Sequence, residues 1–216
     1  IGTIAPTQEN LVAWHASGVK NWTQLLEKDF ALGASGAGST SVIVPTVMNA
    51  LLGTRIKLVP GYPGGNEINL AMEKGEIDGC LLAWSTVKAA KRDWLEQKKA
   101  SIIVQWGSTR HPELPDIPSM VELGKSAEDK AILELYASAT EIGKSIVAPP
   151  GVAKERVSAL RAGFDAMLKD PDYLEEVKKL SLDFEPLSGE KLQAYVEELS
   201  KTPASVLAKA KQVRDN

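Results

Sequence analysis

The chain has 216 residues and only one cysteine, Cys80, and two histidines, His15 and His111. A single cysteine excludes an internal disulfide framework. Its neighbours Leu81 and Leu82 predict a buried, inert thiol. The two histidines belong to no cluster with metal-ligand spacing, and His111, beside a proline in a loop, is expected to be solvated. No apolar run approaches the ~18 to 20 residues needed to span a bilayer. Cations are not in excess: 25 Lys and Arg stand against 28 Asp and Glu, for a net charge of −3. That balance excludes a broad basic field for nucleic acid or acidic lipid. The densest basic run, residues 88–92, is expected to form a solvated helix face. No Gly-x-Ser-x-Gly elbow occurs, no Gly-Lys-Ser/Thr follows either of the glycine-rich loops at residues 33–41 and 60–66, and Gly33-Ala34-Ser35-Gly36 breaks the dinucleotide spacing. Nucleotide binding and catalysis are therefore disfavoured, and no cofactor is expected. The chain opens on Ile1 within the strand-like Ile1-Gly2-Thr3-Ile4-Ala5, so its natural N-terminus is expected upstream. The lack of a leader then says nothing about localisation.

What is present is ordinary globular composition, 44% hydrophobic and 25% charged, arranged as alternating strands and helices. Strands are expected at residues 11–14, 30–32, 56–59, 77–82, 102–106 and 145–148. Helices are expected near residues 21–26, 41–52, 67–74, 87–97, 119–123, 127–137, 154–168 and 171–180, with another starting at residues 188–190 and a last one starting at Pro203. Pro45 is expected in the first turn of its helix, where proline is tolerated. Trp14, Trp22, Trp94 and Trp106 read as packing residues.

Two loops stand out. Residues 33–41 read Gly33-Ala34-Ser35-Gly36-Ala37-Gly38-Ser39-Thr40-Ser41 and carry no charge. A second uncharged glycine-rich loop, Pro60-Gly61-Tyr62-Pro63-Gly64-Gly65-Asn66, follows the next strand. Each lies between a strand and a helix, where ligands bind in α/β folds. Backbone N–H groups and hydroxyls at a helix N-terminus capture an anion without Lys or Arg. Glycines that merely permit tight turns are the competing explanation. Asp78 is expected inside its strand, bonded to a loop, capping a helix or touching ligand. Trp84 and Ser85 end that strand on the ligand-binding edge.

These loops, followed by Gly75-Glu76-Ile77-Asp78-Gly79, Leu114-Pro115-Asp116-Ile117-Pro118-Ser119 and Ala148-Pro149-Pro150-Gly151-Val152, resemble the solute-binding receptors of tripartite tricarboxylate transporters, the Bug family. The likeness runs along nearly the whole chain. It implies an α/β type II periplasmic-binding-protein fold with two lobes and a small carboxylate held between them. Family members begin with a strand and glycine-rich loop of the first lobe that nothing here matches, so the first lobe is expected to be incomplete. Residues 1–15 would cross between lobes, residues 16–138 would form the second lobe with the ligand loops, and residues 139–216 would supply the return strand and C-terminal helices of the first lobe. The family binds carboxylates largely with amides and hydroxyls. The resemblance thus implies ligand contacts from Ser35, Gly36, Gly38, Ser39, Thr40, Ser41, Tyr62, Gly64, Gly65, Asn66, Asp78, Trp84 and Ser85. Some amino-acid-binding relatives meet the ligand amine with an aspartate shortly after the position of Asp78. Here that stretch reads Leu81-Leu82-Ala83, which argues for a plain carboxylic acid.

The expected function is an extracytoplasmic, periplasmic receptor that docks transiently to integral-membrane transporter subunits, with no enzymatic activity and no nucleic-acid partner. A ligand-sensing domain of a regulatory or signalling system with the same fold is the alternative.

Overall fold

Buried residues alternate along the strands between two faces, and each face carries its own hydrophobic cluster. The computed structural model describes residues 1–180 and 182–215. In chain order the first elements are β1 (Gly2–Thr3), β2 (Glu9–Trp14), α1 (Trp22–Glu27), β3 (Asp29–Gly33), α2 (Thr40–Val47), β4 (Arg55–Val59) and α3 (Gly65–Glu73). Next come β5 (Gly79–Ala83), α4 (Trp84–Ala90), α5 (Arg92–Glu96), β6 (Ala100–Trp106) and α6 (Ala127–Ile142). The chain then runs through β7 (Ser145–Ile146), α7 (Lys154–Met167), α8 (Pro171–Lys179), β8 (Leu187–Ser188), α9 (Gly189–Leu199) and α10 (Ala204–Asp215).

Five strands form a mixed sheet in the order β4-β3-β5-β2-β6. β3 runs parallel to β4 and β5, whereas β2 is antiparallel to β5 and β6. The C-terminal ends of β3, β4, β5 and β6 therefore share one edge with the start of β2. Leu11, Leu32, Val44, Met48 and Val104 pack on the face covered by α2. Val12, Met72, Cys80, Trp84 and Trp94 pack on the opposite face, under α3 to α5. Burial pushes the Cys80 thiol up to about 12, as an inert core thiol requires.

The second sheet is small, with β1 between β7 and β8 and antiparallel to both. Residues 1–15 thus serve both sheets. Two crossing segments lie side by side: the Thr7 N–H donates to the Thr140 carbonyl at 2.9 Å and the Lys144 N–H to the Ala5 carbonyl at 3.1 Å. Gly143, at φ +49°, makes this approach possible, because a Cβ there would lie 2.3 Å from the Ala5 carbonyl oxygen.

Several expectations need correction. A lobe boundary at 138/139 falls inside α6, one unbroken helix with a Ser126–Asp129 capping box, and the crossing comes at Gly143. Not all C-terminal helices belong with the small sheet. α10 packs on α2 and α6, the Tyr136 hydroxyl donates to the Ala210 carbonyl at 2.7 Å, and Val213 joins the core beneath α2. Pro45 lies beyond the first turn of α2, and a π-helical turn at Met48–Leu52 follows. The basic stretch at 87–97 is two short helices meeting at Lys91, not one. Its lysines are not simply solvated: Lys88 pairs with Glu113 and Asp183, each at 2.9 Å, and Lys91 with Glu73 at 2.8 Å.

Candidate functional site

The loop after β3 and the loop after β4 are sewn together by their backbones. The Ala34 N–H donates to the Val59 carbonyl at 2.9 Å, and the Tyr62 N–H to the Ala34 carbonyl at 3.4 Å. Each loop delivers the start of a helix to the shared sheet edge, α2 at Thr40 and α3 at Gly65. First-turn amides lack intrahelical acceptors, and the helix dipole makes this end positive. Gly36, Gly38 and Thr40 are exposed, as are Gly65 and Asn66, while Tyr62 and Gly64 are half-buried. Gly61, at φ +103°, turns the second loop.

The hydroxyls divide their work. The Ser41 Oγ is a hub: it lies 2.7 Å from the Ser39 Oγ and 3.3 Å from the Ser35 Oγ, and accepts the Ser35 N–H at 3.1 Å. Ser41 is buried and holds the loop shape instead of facing solvent. A turn bond from the Ser39 N–H to the Gly36 carbonyl closes the loop at 2.9 Å. Thr40 is left as the exposed hydroxyl.

Trp84 and Ser85 lie at this edge, but they begin α4 instead of ending β5. Trp84 is buried, donates its indole N–H to Glu113 and has the Lys88 ammonium 5.9 Å from its ring centre. Asp78 is a different case. It precedes β5, at the end opposite the loops, and its Oδ2 accepts the Ala31 N–H at 2.8 Å. Its own N–H donates to the Ala31 carbonyl at 2.8 Å and its carbonyl accepts the Trp14 N–H at 2.7 Å, so the residue ties β2 and β3 together at the foot of β5. Asp78 is therefore a sheet-bracing residue, not brought together with the other site residues.

Two residues at the edge escaped the sequence reading. Glu9 opens β2 opposite Ala83 and Trp106. Burial pushes its carboxyl above the ordinary range, and the neighbouring Thr40 hydroxyl pulls the other way. A polar residue at a strand start is unremarkable in sequence, so no signal marked it. Gln105, fully buried on β6, organises the loop that follows. Its Nε2 donates to the Leu114 and Ile117 carbonyls at 2.9 and 2.7 Å, and its Oε1 accepts from Gln8 and from the His111 N–H, both at 2.8 Å. His111 is thereby half-buried and fixed, contrary to the solvated position expected of it.

A cavity of about 160 Å³ lies between the crossing segment, this loop and the C-terminal part of the chain. It includes Trp84 but neither glycine loop. Glu141, Asp183 and Glu185 line it together with Arg110 and His111, and Asp183 pairs with Lys88. Burial raises the Glu141 carboxyl, with Glu185 and Glu134 adding to the effect. Such a wall repels a carboxylate, so the glycine-loop edge is the better anion site despite being more open. Among the described residues no group of three or more His, Cys, Asp and Glu could hold a metal, and no helix is long and apolar enough to cross a membrane.

The family profile described as tripartite tricarboxylate transporter family receptor, TctC, matches residues 1–211. No curated protein matches the chain in sequence. Among solved structures, a TctC solute-binding protein from Polaromonas is 14% identical with a TM-score of 0.63, covering 97% of this chain and 68% of that one. An R. palustris protein with adipate is 18% identical with a TM-score of 0.63, over 98% of this chain and 67% of its own. The periplasmic binding protein BugD is 24% identical with a TM-score of 0.65, over 98% and 68%. The architecture is thus the α/β periplasmic-binding-protein fold, and the chain spans about two thirds of the length of these structures.

Proposed function

The chain belongs to the receptor family of the tripartite tricarboxylate transporters, and from that premise we propose that it is a periplasmic solute receptor. It binds a small carboxylate between its lobes and presents it to integral-membrane transporter subunits. The family is one of binding proteins, not of enzymes. The observation that carries the proposal is the pair of uncharged loops, bonded backbone to backbone, that bring the starts of α2 and α3 to one open sheet edge. The carboxylate sits against the first-turn amides of α2 and α3 and the Thr40 hydroxyl. Ser35, Ser39 and Ser41 hold that loop, and Tyr62, Gly64, Gly65, Asn66 and the start of α4 at Trp84 and Ser85 border the ligand. Adipate in the R. palustris structure supports a carboxylate ligand.

Hydrogen bonds to a charged acceptor contribute roughly 1.5–3 kcal/mol each. Three or four of them, offset by the entropy of association, support about micromolar affinity. A thermal-shift screen of mono-, di- and tricarboxylates on the full-length receptor tests this. A true ligand at about 100 times its Kd stabilises by about 2.7 kcal/mol, a rise of several degrees. Flat melting curves across the panel would sink the proposal. Neutral dipoles also predict affinity that changes little with ionic strength; a steep salt dependence would point to a different, cation-based site.

A further inference from the structure

Three short crossings join the body around the five-stranded sheet to the body around the small sheet, at residues 4–8, 143–144 and 200–203. Beside the first two, the cavity of about 160 Å³ takes the place of packing. Its walls come from both bodies: Gln8, Trp84 and Glu141 on one side, Asp183 and Glu185, from the segment leading into β8, on the other. Close-packed interiors resist sliding, whereas a void leaves relative position to the charges around it. Those charges oppose one another. The Lys88 ammonium on α4 reaches Asp183 at 2.9 Å, with the two side chains 28% and 18% exposed. Glu141 and Glu185 line the same void and repel each other across it. Among the ion pairs of the described residues, Lys88–Asp183 alone runs from one body to the other. The second partner of Lys88, Glu113 at 2.9 Å, lies on the loop after β6, in the same body as α4.

We propose that Lys88 and Asp183 form a latch that sets the spacing of the two bodies, working against the Glu141–Glu185 repulsion across the same cavity. Made, the latch holds the arrangement seen here. Broken, it leaves the backbone crossings as the tie on this side, and the repulsion widens the cavity. Glu113 makes the opening reversible: it keeps the ammonium paired when Asp183 leaves, so no cation is stranded without a partner. Lys88 stands one turn along α4 from Trp84, the residue shared by the cavity and the sheet edge, so a change of spacing is felt at that edge. The inference goes beyond the receptor reading and does not depend on which solute is bound.

Electron–electron double resonance on the full-length protein without added solute tests this. Spin labels go on Glu76→Cys and Asp172→Cys, one exposed position in each body, while the buried Cys80 stays unlabelled. Asp183→Asn keeps the Lys88–Glu113 pair and cuts only the tie between bodies. It is expected to raise the ratio of displaced to native interlabel distances about 3- to 10-fold. Glu113→Gln removes a bond of similar length within one body and is expected to leave the distances as in wild type. Glu185→Gln removes the repulsion and is expected to narrow the distribution, a change that misfolding cannot mimic. Distances unmoved by Asp183→Asn, or moved as far by Glu113→Gln, would overturn the latch and show the pair to be local stabilisation. A distribution broadened by Glu185→Gln would overturn the opposing role of the two glutamates.

Discussion

Ser41 shows how neighbouring residues of one chemical type part company once folded. Its buried hydroxyl joins Ser35 and Ser39, while Thr40, one position earlier, is exposed. Thr40→Ala is expected to weaken carboxylate binding about tenfold with little change in melting temperature. Ser41→Ala leaves the Ser35 N–H without its acceptor and should cost about 1–2 kcal/mol of stability. Calorimetry and denaturant melts of both variants separate the two roles; equal losses of stability would merge them. The hydroxyl content of this loop was legible in sequence. Its division of labour was not, because helix phase decides which hydroxyl turns inward. Asp78 and Glu9 make the same point. Each is a lone carboxylate near a strand start, and only the strand pairing tells which one meets the loops.

Among the elements, those with explicit end signals were the most readable. Asp170 and Ser188 cap α8 and α9 as their sequence positions suggest. Strand β5 starts two residues later than its hydrophobic run implies, and before it Asp78 bonds the Ala31 peptide through both its side chain and its backbone. The order of the loop between β6 and α6 has no local sequence signal, since Gln105 holds it from inside a strand. Gln105→Ala strips the Leu114 and Ile117 carbonyls and the His111 N–H of their partner. A loss of about 2–4 kcal/mol is expected, with faster amide exchange confined to residues 107–119. Exchange unchanged there would mean that the prolines alone set the loop.

At the scale of the molecule, Lys88 ties the two halves of the chain by bridging Glu113 and Asp183. Burial works against its charge, but Glu113 and Asp183 outweigh that and raise its pKa. The Lys88 ammonium first, and then the Trp84 indole, hold the Glu113 carboxyl below the ordinary range. A lowered acid stabilises above its unfolded value and loses that contribution as pH falls through the folded one; a raised base does so below its unfolded value. The clasp therefore acts fully from about pH 4.3 to about pH 10.4. Lys88→Met is expected to lower the melting temperature by about 1–3 °C at neutral pH. That deficit should shrink as the pH falls below about 4. The same deficit in acid would mark it as packing, not charge.

The placement of α10 has a consequence for the order in which this protein can be made. Val213 fills a core whose other members begin at Leu11, so stretches some two hundred residues apart complete one interior. A nascent polypeptide cannot seal that interior until α10 has emerged from the ribosome. Until then the half-built lobe keeps an apolar gap beneath α2, a surface a chaperone could grip and a reason for folding to wait on translation.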